Sequence, residues 1–180
     1  MEIGVLGLGR MGRIVADRLR EGGHEVVGYD VDPDTVAAAA EDGITPAESI
    51  PDLAQQLSAP KRIWLVVPSG DPVDAALDEL NPHLDEEDIV IDGGNSYFEH
   101  SIRRAESIDA AYLDCGTSGG PASAEAGFSM MVGGPEWAYE ELVPAFDAVA
   151  TGPAGHDRMG PVGSGHYVKM VHNGVEYALM

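Results

Sequence analysis

The sequence predicts an α/β fold in which a doubly wound, mostly parallel sheet is covered by helices on both faces. Short apolar runs alternate with helical patterns almost throughout the 180 residues, which is the order expected of repeated β-α-β units. The runs are nearly continuous in apolar residues, as is typical of strands buried on both faces. A glycine-rich turn also follows the first run, at the point where sheets of this kind bind ligands.

Strands are predicted where short apolar runs lie between turn residues. In chain order they span residues 2–7, 24–30, 62–68, 88–94, 110–116 and 129–134. Apolar residues at helical spacing predict the helices between them. These span residues 10–23, 32–43, 49–57, 71–84, 97–108 and 135–150, and a last helix begins at about His166. The stretch 151–165 is predicted to be a connection.

Several helix ends carry their own signals. Asp32 is a typical N-cap residue, and Pro33 suits the first turn that follows. The glycine pair at 22–23 and Gly43 are expected to end the first two helices. Pro144 is expected to disturb the helix that contains it.

The chain is strongly acidic. It carries 31 Asp and Glu against ten Lys and Arg, a formal net charge of −21, with the acids spread along the sequence. Such a field repels nucleic acids and anionic membrane surfaces, so neither is expected as a partner. Only Lys61 and Lys169 are lysines. This composition predicts adaptation to concentrated salt, where the screening length falls to about 3 Å at 1 M; an ordinary acidic protein is the alternative.

The remaining composition excludes several classes of site. Cys115 is the single cysteine, so neither an internal disulfide nor a thiolate metal cluster is expected, and no compact set of metal ligands is found. The apolar start of the chain is short and is followed by Arg10 and Arg13, unlike a signal peptide. No stretch reaches the length of a membrane span. A cytoplasmic protein is therefore expected.

The turn after the first strand is a G-x-G-x-x-G motif between a predicted strand and a predicted helix, the context required of a dinucleotide-binding Rossmann fold. Its first glycine permits the tight turn, its second admits a pyrophosphate, and its third allows close packing of helix and strand. The unpaired N–H groups of the helix would face the phosphates. A tight turn without a ligand is the alternative. The predicted cofactor contacts here are Gly7, Leu8, Gly9, Arg10, Met11 and Gly12.

Asp30 predicts which dinucleotide is bound. It ends the second predicted strand, where an acid accepts hydrogen bonds from the adenosine ribose. A 2′-phosphate would face Asp30, with Asp32 and Asp34 nearby and no cation in residues 29–35 to offset them. NAD is therefore predicted in preference to NADP.

Other strand ends should reach the same crevice. Further cofactor contacts are predicted at Val67, Pro68, Ser69 and Asn95. Asn95 belongs to DGGNS, residues 92–96, and TSGGPASAEAG, residues 117–127, follows the next strand. The second segment resembles a nest of backbone N–H groups around Ser118, suited to a carboxylate or hydroxyls. Ordinary loops are the alternative for each.

The last helix has an unusual polar face. Lys169, His172, Asn173 and Glu176 stand at i, i+3, i+4 and i+7 and so share one side of the helix. A solvent face of this acidic chain would be expected to carry Asp and Glu, so the pattern favours a functional face over a solvated stripe.

Taken in order, GLGRMG, DGGNS, SGG and GSGHYVKMVHNGVEY resemble the decarboxylating 6-phosphogluconate dehydrogenases, a family of β-hydroxyacid dehydrogenases. The run K-M-V-H-N-G-x-E-Y is the most specific part. The resemblance implies NAD(P)⁺-dependent conversion of 6-phosphogluconate, a phosphorylated sugar acid, to ribulose 5-phosphate and CO2, without a metal. It also implies a homo-oligomer, a dimer or larger, for the complete protein.

The same resemblance assigns roles to residues. Lys169 matches the general base, which must be neutral, and Glu176 matches the general acid, which should be buried. Residues 121–134 depart from the more Gly- and Pro-rich pattern of the family, a departure that concerns this loop and not the reaction. The implied substrate contacts are Asn95, Ser118, Gly119, Gly120, His172, Asn173 and Tyr177.

The resemblance also implies a domain boundary. Residues 1–163 would form the NAD-binding domain, and 164–180 would begin a helix leading to an all-helical C-terminal domain that this chain lacks. The chain alone is expected to bind NAD and to turn over poorly or not at all. Two alternatives remain: a 3-hydroxyisobutyrate-type dehydrogenase, which shares the glycine turn, SGG and the lysine helix, and a non-catalytic NAD-binding module.

Overall fold

The computed structural model describes residues 1–119, 126–152 and 154–179 and confirms the predicted α/β fold. Among these residues one sheet of eight strands forms the middle layer. The strands are Glu2–Leu6 (β1), Glu25–Tyr29 (β2), Thr45–Pro46 (β3), Arg62–Leu65 (β4), Ile89–Asp92 (β5), Ala111–Ser118 (β6), Ser129–Gly133 (β7) and His156–Gly160 (β8).

Helices cover both faces of this sheet. In the described part of the chain they are Arg10–Glu21 (α1), Pro33–Glu41 (α2), Ile50–Gln56 (α3), Asp71–Leu80 (α4), Phe98–Ala105 (α5), Glu136–Val149 (α6) and Ser164–Leu179 (α7), and a 3-10 turn at Asn81–His83 follows α4.

The order of the strands in the sheet determines where a crevice opens. The order is β3-β2-β1-β4-β5-β6-β7-β8, and each neighbouring pair is parallel except β6 and β7. The chain runs outward from β1 to β3 and then returns to place β4 on the other side of β1. The loops after β1 and β4 therefore diverge, and a crevice opens at the carboxyl ends of these strands.

Two apolar cores hold the layers together, one on each face. Alternate residues of β4 divide between them: Trp64 packs on the face covered by α1 and α6, whereas Ile63 and Leu65 pack on the face covered by α3 and α4. All three are at most 1% exposed. Burial on both faces explains why β4 reads as a continuous apolar run.

The predictions about the helices are confirmed at one N-cap and differ from the structure at two other positions. The Asp32 carboxylate accepts the N–H of Asp34, which confirms the predicted N-cap of α2. The helix α6 continues through Pro144, so the disturbance expected there does not end it. The helix α7 begins at Ser164, two residues before the predicted start.

Two strands were not predicted. β3 has two residues, too few for a periodic signal. β8 lies within the stretch predicted to be a connection, and its residues His156–Gly160 alternate between exposed and half-buried positions. Both lie at an edge of the sheet, where a strand needs no continuous apolar run. None of the helices in the described residues is long and apolar enough to span a membrane.

Candidate cofactor and substrate site

The glycine turn between β1 and α1 has the geometry that its sequence predicts. Gly7 has φ +95°, in the left-handed region, and a Cβ there would lie 2.5 Å from the carbonyl oxygen of Val66. A Cβ on Gly12 would lie 1.8 Å from the carbonyl oxygen of Gly7, so α1 packs directly on the turn. A Cβ on Gly9 would meet nothing within 4 Å. The space above Gly9 is therefore open to a ligand.

The N-terminus of α1 suits an anion. No side chain caps it, and its first turn contains no acidic residue. Its first N–H groups thus lack intrahelical acceptors and concentrate positive potential at the mouth of the turn. Arg10 and Met11 lie at this end of the helix and line the adjacent cleft. This arrangement fits the pyrophosphate of a dinucleotide.

Asp30 follows β2 and is tied to the glycine turn. Its Oδ2 accepts the N–H of Leu8 at 2.7 Å, and its Oδ1 accepts the N–H of Asp32 at 3.0 Å. A carboxylate has about four lone-pair positions, so each oxygen can still accept a ribose hydroxyl. The side chain of Leu8 is buried in the core. Leu8 therefore serves the turn through its backbone.

Two cavities meet at this turn. A cleft of about 360 Å³ is lined by residues 9–12, 66–68 and 93–95. A second cavity of about 490 Å³ extends from Gly9 past Asp30 to α4. Val67 and Pro68 line both, whereas Ser69 lines neither and is exposed. An elongated site with an acid near one end and open backbone at its middle fits NAD.

Asn95 joins the loop after β5 to the end of β6. Its Oδ1 accepts the N–H of Thr117 at 2.9 Å, and its Nδ2 donates to the carbonyl oxygen of Thr117 at 3.3 Å. Its φ is +52°, a left-handed conformation that Asn tolerates better than most residues. One N–H and one oxygen lone pair of the amide stay available for a ligand.

Lys169 lies in a neighbouring cavity of about 290 Å³, which is lined by residues 95–98, His166, Met170 and Asn173 as well. Asn95 lines both this cavity and the cleft at the glycine turn. The proposed base and the proposed cofactor site are therefore adjacent.

Most of Lys169 is buried. The residue is 8% exposed, and burial lowers the pKa of its amine, although the carboxylate of Glu176 partly opposes this shift. Burial disfavours the charged form of an amine because it loses hydration. A larger fraction of Lys169 is thus neutral at a given pH than for an exposed lysine.

Glycines allow α7 to lie directly on β6 and β7. A Cβ on Gly165 would stand 2.4 Å from the carbonyl oxygens of Asp114 and Met131. A Cβ on Gly116 would stand 2.4 Å from the Cβ of Lys169. The close approach places Lys169 over the end of β6 rather than in solvent.

A buried polar cluster holds the start of α7. Asp114, 0% exposed, accepts the N–H of Gly163 at 2.6 Å and that of His166 at 2.7 Å. The His166 Nδ1 lies 2.8 Å from the Ser101 hydroxyl of α5. Desolvation raises the pKa of Asp114. The cluster fixes the turn of α7 that precedes Lys169, and no sequence motif pointed to it.

The predicted polar face of α7 is divided in the structure. Asn173 lines the Lys169 cavity, whereas His172, Glu176 and Tyr177 are exposed and line neither it nor the cleft. The His172 Nδ1 lies 3.8 Å from a Glu176 oxygen, and the Glu176 side chain is 56% exposed. The expected burial of Glu176 is not seen in the described chain, in which no element packs over this side of α7, and its role stays a prediction.

The SGG segment is described only in part. Ser118 is the last residue of β6 and pairs with Ser129 of β7. Gly119 is exposed with φ +143°. Gly120 lies outside the described residues, as does most of the predicted nest. Neither Ser118 nor Gly119 lines the cavity of Lys169.

The structure also adds residues that the sequence patterns did not indicate. Trp64 and Phe128 line the cleft at the glycine turn, and Tyr97 and Phe98 line the Lys169 cavity. Aromatic residues in a core or a loop carry no signal that separates a lining position from ordinary packing.

Comparison with known proteins identifies the family. A family model described as the NAD-binding domain of 6-phosphogluconate dehydrogenase matches residues 2–165. The chain belongs to this family. The predicted resemblance to 6-phosphogluconate dehydrogenases is thereby confirmed, and the cleft at the glycine turn is that of an NAD-binding domain.

Relatives with this name match along the entire chain. The NAD(+)-dependent, decarboxylating 6-phosphogluconate dehydrogenase of Haloferax volcanii is 69% identical over 180 residues, which are 100% of this chain and 60% of that protein. A putative 6-phosphogluconate dehydrogenase of Bacillus subtilis is 39% identical over 183 residues, 100% of this chain and 61% of its own length. The chain thus spans about 60% of the length of these relatives.

Solved structures of similar proteins superpose on this chain along nearly its whole length. The 6-phosphogluconate dehydrogenase of Plasmodium falciparum, studied alone, with NADP⁺ and with 6-phosphogluconate, superposes with a TM-score of 0.88 at 31% identity, over 98% of this chain and 40% of that one. A 3-hydroxyisobutyrate dehydrogenase of Mycobacterium tuberculosis gives 0.85 at 25% identity, over 97% and 59%.

Proposed function

We propose that this chain is the cofactor-binding part of an NAD-dependent 6-phosphogluconate dehydrogenase that decarboxylates its substrate, and that it supplies the proton-accepting lysine. The observation that carries the proposal is the place of Lys169, a buried lysine that lines a cavity sharing Asn95 with the NAD cleft. In this proposal residues 1–163 form the NAD-binding domain, and 164–180 begin a helix that leads to the rest of the catalytic protein.

Lys169 would act first as a base. A neutral amine takes the proton of the C3 hydroxyl while C3 is oxidised to a ketone. The bound oxidised nicotinamide supplies the acceptor for the hydride that leaves C3. Bringing a lysine pKa from about 10.4 to about 7 requires roughly 4.6 kcal/mol of differential destabilisation. Burial contributes in the direction required, and the positive charge of the oxidised nicotinamide would add to it.

The protonated lysine would act again in the next step. The ammonium donates a hydrogen bond to the new ketone oxygen and stabilises the negative charge that develops as CO2 leaves. A β-keto acid has its own electron sink, so this step needs no metal. An acid then protonates the enediol at the carbon that becomes C1 of ribulose 5-phosphate. Glu176 is assigned this role on the family resemblance alone, as are the substrate contacts at Ser118, Gly119, Gly120, His172 and Tyr177.

The surroundings of Asp30 favour NAD over NADP. Neither of the two cavities that Asp30 lines has an Arg or Lys in its wall, and Glu48 and Glu79 add negative charge there. A phosphate about 4 Å from one carboxylate costs about 4 kcal/mol per pair of unit charges at an effective dielectric of 20. Asp32 contributes less, because it lines neither of these cavities and its carboxylate caps the start of α2.

An assay of the full-length protein that contains this chain tests the function. It should form NADH and CO2 in equal amounts from 6-phosphogluconate, and neither from 3-hydroxyisobutyrate. NADH without CO2, or turnover of 3-hydroxyisobutyrate alone, would contradict the proposal. NAD binding without turnover of either substrate would instead favour a non-catalytic module.

Cofactor preference gives a separate prediction. Asp30→Asn should lower the ratio of the NADP⁺ to the NAD⁺ dissociation constant at least about tenfold, because it removes the nearest like charge. Asp34→Asn, at an exposed position that lines neither cavity, is the matched control and should leave the ratio within twofold. Calorimetric titration at low and high salt measures both. An unchanged ratio in Asp30→Asn would show that another group sets the preference.

A further inference from the structure

The guanidinium of Arg104 is buried beside the site and is completely hydrogen-bonded. Arg104 is in α5 and is 1% exposed. A guanidinium has five N–H groups, and each of these has an acceptor. The bonds run from Nε to Asp74 Oδ1 at 2.9 Å, from Nη2 to Asp74 Oδ2 at 3.1 Å and to the Gly70 oxygen at 3.0 Å, and from Nη1 to Ser96 Oγ at 2.9 Å and Asp92 Oδ2 at 3.3 Å.

These acceptors belong to two different loops of the site. Gly70 is the N-cap of α4, and Asp74 lies in the first turn of that helix. They end the loop whose residues Val67 and Pro68 line the NAD cleft. Ser96 belongs to the loop after β5 and stands next to Asn95. Arg104 therefore connects the loop after β4 to the loop after β5.

The second loop is fixed further through Asp92. This carboxylate is 0% exposed and accepts hydrogen bonds from Ser96 Oγ at 2.7 Å, Tyr112 Oη at 2.6 Å and the Gly94 N–H at 3.0 Å. Asn95 thus lies between two residues whose polar groups are held by the same carboxylate. Arg104 supplies the positive charge that Asp92 needs when buried.

We propose that Arg104 is a positioning residue of this site, which sets the distance between the NAD cleft and the cavity of Lys169 by tying both loops to one rigid guanidinium. The part of this proposal that concerns catalysis rests on the proposed function, whereas the expected effect of Arg104 on NAD binding does not. Lysine cannot replace Arg104 here, since it has three donors on a flexible stem instead of a planar fork. A site held about 1 Å out of place can lose on the order of 100-fold in rate.

The neighbouring arginine provides a matched control. Arg103 also donates to Asp74 Oδ1, at 2.9 Å, but its side chain is 60% exposed and it has no described bond to the loop after β5. Arg103→Lys and Arg104→Lys make the same chemical change one residue apart. Only the second removes a link between the loops.

Arg104→Lys in the full-length protein should lower kcat/KM for 6-phosphogluconate by about 10- to 100-fold and weaken NAD binding by about tenfold. Both are measured well below the melting temperature, with circular dichroism to verify folding. Arg103→Lys should stay within twofold of wild type in each. A purely structural Arg104 would lower the melting temperature while kcat, KM and the NAD dissociation constant stay unchanged in the folded variant, and that result would overturn the proposal.

Ser96→Ala tests the same link if Arg104→Lys does not fold. It removes the hydroxyl between Arg104 and Asp92 and should shift kcat and NAD affinity in the same direction by a smaller factor. Wild-type affinity and rate in Ser96→Ala would count against the proposal.

If the wild-type protein binds NAD but does not oxidise 6-phosphogluconate, the proposed function fails, and the NAD affinities still decide the role of Arg104.

Discussion

Replacing Lys169 by arginine should abolish turnover of 6-phosphogluconate and leave NAD binding largely intact. An arginine side chain cannot lose its proton in a protein, so it keeps the positive charge but cannot act as a base. General-base catalysis contributes about 10²- to 10⁴-fold, so kcat should fall at least about 100-fold. The measurement is steady-state NADH formation, together with calorimetric titration of NAD⁺.

Two further variants make the result specific. Lys169→Met keeps a side chain of similar length without an amine and should lose activity to a similar degree, which excludes crowding by the larger arginine as the cause. Lys61→Arg is the control, because Lys61 pairs with Asp88 at 2.9 Å next to the amino end of β4, away from the site. Its activity should be unchanged. A Lys169→Arg enzyme with kcat within threefold of wild type would remove Lys169 from the mechanism.

Gly12→Ala should destabilise the protein and abolish NAD binding, whereas Gly9→Ala should affect binding only. The new Cβ at Gly12 would lie 1.8 Å from the backbone oxygen of Gly7, so α1 must move away from the turn. Overpacking typically costs about 1–3 kcal/mol, and a clash with backbone lies at the upper end of this range. A loss of about 3 kcal/mol corresponds to a fall in melting temperature of roughly 6–12 °C for a chain of this size.

The second glycine separates binding from folding. A methyl at Gly9 meets no atom within 4 Å, and its φ of −58° is open to any residue. The melting temperature of Gly9→Ala should therefore match wild type, while the NAD dissociation constant rises because the methyl occupies the approach of the pyrophosphate. Thermal unfolding and NAD titration of both variants check this. Wild-type NAD affinity in Gly9→Ala would mean that the cofactor does not approach the turn there.

Features predicted from the sequence are those with a local cause. The conformation of Gly7, the close packing at Gly12 and the N-cap at Asp32 depend on a few adjacent residues, so a short motif specifies each. Long apolar runs such as β4 are equally local, since burial on both faces requires them. The short or alternating edge strands β3 and β8 have no such run, and pairing with their neighbours decides their structure.

The parts of the site that could not be predicted depend on contacts between distant residues. Arg104 meets Gly70 and Asp74, which lie about thirty positions away in the sequence, and nothing near Arg104 indicates them. The sequence placed Glu176 and Lys169 on one helix face, yet only Lys169 is covered. Helical spacing gives the direction of a side chain, but burial depends on which element packs against that direction.

Titration of the Lys169 amine tests the central claim most directly. The Cε signal of ¹³C-labelled lysine, assigned by its absence in Lys169→Arg, is followed against pH by NMR in the folded full-length protein, with and without NAD⁺. We expect a midpoint below the usual lysine value of about 10.4, because burial lowers the pKa of this amine, and a further decrease when NAD⁺ is bound. Activity should then fall as the pH decreases through that midpoint. A Lys169 signal that titrates at or above the usual value in both states would contradict its role as a neutral base.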